Sequence, residues 1–111
     1  MDVVVHLISG IGGEQDTSFA IVENLLDADA DIDELVVVAQ SQGIEAVTAG
    51  GETEHKVRSL LDAGVSFVAC RNTLDTMDLD ESDLVDGVDV VPEGAVEVIR
   101  LQTEGYAYLR P

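Results

Sequence analysis

Hydrophobic residues in this chain follow two rhythms. Some form short, nearly unbroken apolar runs: residues 3–8 around His6, residues 35–39, residues 65–69 around Ser66, and residues 88–91. Runs of this length are what strands covered on both faces show. Between them, apolar residues recur at helical spacing. Phe19, Val22, Leu25 and Leu26 share one helical face, widened by Ile21 and Ala28. Val57, Leu60 and Leu61 share another, and Val96, Ile99 and Leu101 a third. The pattern predicts strands over residues 2–8, 35–39, 65–69, 88–91 and 106–109. Cys70 lies at the end of the third.

Turn and cap signals divide the elements. Asp16 or Thr17 is expected to cap the first helix. Asp27, Asp29 and Asp31 oppose the dipole at its end, so it should fray there. Thr53 is expected to cap the second helix, and Gly64 to end it. Asn72 or Thr73 is expected to cap a short helical turn running to Met77. Residues 79–84 read as another short helix, closed near Gly87. Pro92 and Glu93 open the last helix, which Gly105 ends. Residues 44–49 fit either a short helical turn or an extended piece. The alternation of strands and helices predicts a single α/β domain over residues 1–111, with a mostly parallel sheet covered by helices on both faces.

In such a fold the loops after parallel strands share one edge, where ligands gather. That edge should hold Ser9 and Gly10, Gln40 to Gly43, and Cys70, Arg71, Asn72 and Thr73. Cys70 is the only cysteine. A helix start just beyond it and the neighbouring Arg71 are features that favour a thiolate. The alternative is an inert, buried cysteine packed as a small hydrophobe. His6 interrupts the first strand, either as a hydrogen-bonded core histidine or as a proton acceptor near the edge. His55 falls on a polar helix face and reads as a surface residue.

Ser9-Gly10-Ile11-Gly12-Gly13 invites a phosphate-cradle reading, but neither nucleotide-loop spacing is present, and Glu14 and Asp16 repel phosphate. It reads as a flexible turn, and no cofactor is expected. One cysteine and two separated histidines make no metal-ligand pattern. A GxSxG elbow and a CxxC pair are also lacking.

Charge changes the picture of the surface. Twenty-three Asp and Glu face five Lys and Arg, for a net charge of −18. Such a surface repels phosphate backbones and anionic membranes, which argues against nucleic-acid binding. The acids recur in almost every polar segment. This favours adaptation of the whole surface to high salt over a single acidic docking face. No apolar run approaches the length that crosses a bilayer. Met1-Asp2-Val3 has no cationic region, so no signal peptide is expected. A lone cysteine fits a reducing, cytoplasmic location.

The chain resembles the DsrE/DsrF-like family of small sulfur-metabolism proteins almost end to end. Asn24-Leu25-Leu26, the stretch from Gly64 through Cys70-Arg71-Asn72-Thr73-Leu74, Asp83-Leu84, Val90-Val91-Pro92 and Gly94 carry the resemblance. The tail from Glu97 to Tyr108 is its most specific part, and is closer to a stand-alone branch than to relay-complex subunits. The resemblance implies a three-layer α/β/α fold, flavodoxin-like in appearance, with a parallel five-stranded sheet. It also implies homo-oligomers, trimers or hexamers. In relay members a cysteine after the equivalent strand carries sulfur as a persulfide exchanged with donor and acceptor proteins, and Cys70 matches that position. Many relatives place a His-Gly-x-Gly-type turn after strand two. Here Gln40-Ser41-Gln42-Gly43 stands there without a histidine. Two other readings stand beside sulfur carriage: a non-catalytic module whose edge pocket holds a small ligand, and a structural subunit of a sulfur-handling assembly.

Overall fold

The computed structural model describes residues 1–111. Five parallel strands form one sheet: β1 (Asp2–Leu7), β2 (Glu34–Ala39), β3 (Ser66–Cys70), β4 (Asp89–Val91) and β5 (Ala107–Leu109). Four helices connect them: α1 (Gly12–Asp27), α2 (Glu54–Asp62), α3 (Arg71–Thr76) and α4 (Gly94–Thr103). The strand order is β4-β3-β2-β1-β5. Parallel crossovers are right-handed. The first three connections all step the same way across the sheet, so α1, α2 and α3 lie on one face. The fourth returns from β4 to the far side of β1, so α4 lies alone on the other.

Packing follows that topology. Odd-numbered strand residues, among them Val5, Val37 and Phe67, join Phe19, Val22, Val57, Leu60 and Leu74 in a core of 20 buried side chains. Even-numbered ones, Val4, Val36, Val38 and Val68, join Val98 and Leu101 in a cluster of only six. The three-layer α/β/α architecture is present, with unequal outer layers.

Several boundaries differ from expectation. Helix α1 begins at Gly12, not at Asp16 or Thr17, and Ile11 at its cap position supplies no side-chain bond. Ser9 and Gln15 hold this start instead. Ser9 Oγ accepts from the Ile11 N–H at 3.0 Å, and Gln15 Nε2 donates to the Ser9 carbonyl at 2.9 Å. Asp16 pairs with Lys56, and Thr17 Oγ1 donates back to the Gly13 carbonyl. Thr53 stands at the α2 cap position, but its hydroxyl donates to the buried Ala46 carbonyl at 2.7 Å. Asn72 and Thr73 lie inside α3, and Cys70 takes the cap position. Residues Ser41–Val47 form a 3₁₀ helix, and only Glu81–Asp83 of the second predicted short helix is helical. Gly64, Gly87 and Gly105 end or turn elements as expected, all at positive φ.

Gly43 fixes how the chain leaves β2. A Cβ there would stand 2.0 Å from the Leu7 carbonyl oxygen, so only glycine lets the 3₁₀ helix lie against the end of β1. Ser41, two residues earlier, takes φ +55 to turn the chain toward it.

Candidate functional site at the carboxyl edge

Side chains alternate across a strand, so residues of one parity share a face. On the thin face this places His6, Gln40, Cys70 and Tyr108 together at or beside the edge. Register agrees: Val4 pairs with both Val36 and Tyr108, His6 with Val38, and Ala39 with Ala69. Belts of valine lie below them. The opposite, amino edge of the same face is acidic. There burial, and then Glu34 and Asp2, push the Tyr106 hydroxyl above its ordinary titration range.

The four side chains connect through Glu93, at the cap position of α4. Tyr108 Oη lies 2.8 Å from His6 Nδ1, and His6 Nε2 lies 2.8 Å from Gln40 Oε1. Gln40 Nε2 donates to Glu93 Oε1 at 3.0 Å. The same Oε1 accepts from the Ala95 N–H at 2.9 Å. Glu93 Oε2 accepts from Asn72 Nδ2 at 3.3 Å and faces the Cys70 thiol at 3.8 Å.

These roles fix the direction of the chain. An ionised carboxylate only accepts, so Gln40 must present its amide nitrogen to Glu93 and its oxygen to His6. That oxygen also only accepts, so His6 carries a proton on Nε2. In neutral imidazole Nδ1 is then the acceptor, and Tyr108 donates to it. Every bond therefore points toward Glu93. Tyr108 also meets the imidazole edge-on, with ring centroids 5.7 Å apart.

Gly94 sets α4 directly on this network. A Cβ there would lie 3.2 Å from Cys70 Cβ and 3.3 Å from Gln40 Oε1, closer than side chains normally pack. Cys70 is consequently fully buried, at 0% exposure. A shallow groove of about 380 Å³ opens beside it. Gln40 and Asn72 belong to both groove and network, while Ser41, Thr73 and Thr76 add further hydroxyls to the groove wall.

The residues singled out from the sequence separate accordingly. Cys70, Gln40 and Asn72 come together around Glu93. Thr73 lines the groove, its Oγ1 accepting from the Ser41 N–H at 3.0 Å. Arg71 departs from expectation: its guanidinium pairs with Glu81 at 3.0 Å, so an acid neutralises the cation expected beside Cys70. Nor are the first N–H groups of α3 all free, because that of Asn72 bonds the Pro92 carbonyl. Ser9 serves the start of α1, with Oγ donating to Glu14 at 2.6 Å. Gly10 lies against Gln42 and lines a separate groove with Asp16, Glu45 and Glu52. Gly43 acts through packing. Glu93, Gly94 and Tyr108 were not among the expected site residues, and His6 joins as a hydrogen-bonded, nearly buried histidine. The parity shared by residues 6, 40 and 70 could have found His6. No group of His, Cys, Asp and Glu side chains is arranged to hold a metal ion.

The fold and edge define a small three-layer α/β domain with a lone thiol at the carboxyl end of β3. The chain is a member of the DsrE/DsrF-like family, whose pattern matches residues 1–111. Solved structures agree. MTH1491 from Methanobacterium thermoautotrophicum, a protein of unknown function, is 36% identical with a TM-score of 0.95, the match covering 99% of this chain and 98% of that one. YchN from E. coli shares the fold at 18% identity and TM-score 0.81, with full coverage of both chains. BT1422 from Bacteroides thetaiotaomicron, also of unknown function, shares it at 12% identity and TM-score 0.78, covering 99% of this chain and 94% of its own. No curated protein matches the chain. No helix is long and apolar enough to cross a membrane.

Proposed function

We propose that this protein carries sulfane sulfur in a relay, with Cys70 holding it as a persulfide. Family membership suggests the relay role. The observation that supports Cys70 is its place: the chain's only thiol ends β3, against the carboxylate of Glu93 and one side chain away from the groove. A thiolate there takes the outer sulfur of a donor persulfide, and an acceptor thiolate later removes it. Because the thiol is fully covered, loading requires Asn72 and the Pro92-Glu93-Gly94 turn to move aside. The bonds from Asn72 to Glu93 and to the Pro92 carbonyl, both 3.3 Å, are long ties over it.

The relay partners are donor and acceptor proteins of a cytoplasmic, reducing compartment, and the acidic surface suits an environment of high salt. Homo-oligomerisation into trimers or hexamers accompanies this reading. Val96 and Ile99 on the outside of α4 are 62% and 61% exposed and offer an apolar contact.

Intact mass after incubation with polysulfide in high salt tests the proposal on wild type and Cys70→Ser. The expected result is a gain of one sulfur atom, removed by reductant, in wild type alone. No adduct on folded wild type overturns it. Burial of Cys70 and the amide and hydroxyl lining of the groove favour a second reading, a module that binds a small polar ligand. Ligand-dependent stabilisation that survives Cys70→Ser would support that reading instead.

A further inference from the structure

We infer that Glu93 is the proton acceptor of the Cys70 thiol, and that Gln40, His6 and Tyr108 position it; this rests on the relay reading of Cys70. Glu93 stands apart from the other acidic residues by what it touches. Its Oε2 accepts from Cys70 Sγ, at 3.8 Å. Its two oxygens also take the side-chain amides of Gln40 and Asn72 and the Ala95 N–H in the first turn of α4. A carboxylate that merely capped α4 would need only the last of these.

Glu93, which only accepts, orients the Gln40 amide, and His6, itself held by Tyr108, anchors the amide oxygen from behind. The amide in turn fixes the plane of the carboxylate. Oε2 is thereby turned toward Sγ, while Oε1 is occupied by Gln40 and Ala95. Gly94 completes the arrangement by letting the α4 start approach Cys70 without an intervening side chain.

The chemistry balances with a persulfide donor, R–S–SH. Cys70 Sγ–H passes its proton to Glu93 Oε2, and the sulfur electron pair attacks the outer sulfur of the donor. The Cys70 S–S bond forms as the donor S–S bond breaks, with that bond's electron pair leaving on R–S⁻. Glu93 returns the proton to the leaving thiolate, giving R–SH and Cys70–S–SH. The transfer is a sulfur exchange with no external oxidant or reductant. Moving one proton from thiol to carboxylate keeps the pair at a single negative charge, so thiolate and carboxylate never stand ionised together.

Two measurements on Glu93→Gln test this. The substituted amide oxygen can still accept from Ala95, so the α4 start is retained. The first is the infrared S–H stretch, which arises from one residue in this single-cysteine protein, with Cys70→Ser as the blank. A thiol bonded to a carboxylate absorbs at lower frequency. The band is expected to rise in Glu93→Gln, and an unmoved band overturns the inference. The second is the rate of sulfur loading from cysteine hydropersulfide at pH 7, read by intact mass. Loss of a general base should slow it about 100-fold. An equal or faster rate overturns the role of Glu93, because removing a charge beside Sγ would by itself ease ionisation. Failure of wild type to load overturns the relay reading itself, whereas equal loading of both proteins leaves that reading standing. A purely structural Glu93 would lower the melting temperature without moving the band.

Discussion

Beneath the sheet, three helices and a 3₁₀ segment bury twenty side chains. Above it, α4 buries six. The strands are the same, and the difference comes from topology. Three successive crossovers of one hand fill one face, and a single returning crossover must serve the other. The crowded face is largely apolar, with its buried polar side chains Gln15, Ser18 and Thr53 each hydrogen-bonded, and reads as the source of stability. The thin face has apolar packing only across its middle, and its carboxyl edge is given to the polar network around Cys70. The groove beside the thiol lies where the 3₁₀ segment and α3, elements of the crowded side, meet that edge.

The largest expected contrast is between core truncations on the two faces. Phe67→Ala opens a cavity among tightly packed neighbours and should cost about 3–5 kcal/mol. Leu101→Ala, under α4, has fewer neighbours to lose and should fall near the low end for a leucine, about 2 kcal/mol. Urea unfolding of both variants measures the gap. Equal losses would mean that the thin face is as well packed as the thick one.

Next comes the contact between α4 and the site. Gly94→Ala should cost about 1–3 kcal/mol, the usual range for overpacking. It should also disturb the Cys70 S–H band, because the new methyl meets both Cys70 and Gln40. The same substitution at Gly12, where an added Cβ would meet no atom within 4 Å, should be neutral or slightly stabilising.

Salt should act on both faces alike. With a net charge of −18, molar salt is expected to raise the melting temperature above that in dilute buffer. It should raise Phe67→Ala and Leu101→Ala by similar amounts. Unequal recovery would place the repulsion on one face.

The smallest effect is at the outer surface of α4. The Arg100 guanidinium, hydrogen-bonded to Glu97, holds that carboxyl below its usual range. A depressed carboxyl contributes stability above its unfolded value near pH 4.3. That contribution is lost as pH falls through the lower folded value. A helical pair of this kind, with its Arg partner exposed, is worth about 0.3–0.5 kcal/mol. Glu97→Gln should therefore lower stability by that amount at pH 7 and by less at pH 3, in paired urea titrations.

The fold was legible because strand runs and helical spacing are local signals that agree with the tertiary layers. Cys70 at the end of β3 and Gln40 after β2 could be placed from those signals alone. The start of α1 could not: two glycines are poor helix formers, yet contacts from Ser9 and Gln15 hold them in the first turn. Arg71 misled because neighbours in sequence at a helix start point in different directions. Glu93 was hidden among many acids, and its partners become visible only when α4 crosses back over the sheet. Tyr108 depended on β5 pairing with β1, a long-range choice that no local pattern encodes.

That last pairing also sets an order of events during biosynthesis. His6 and Tyr108 are 102 positions apart in the chain. At about 5–20 residues per second, several seconds separate their synthesis. Until β5 emerges, β1 has an open edge and the imidazole lacks its phenol. The environment of the thiol is thus among the last features a nascent chain can complete, and a newly made molecule passes through a stage in which its single cysteine is present before its hydrogen-bond chain is closed.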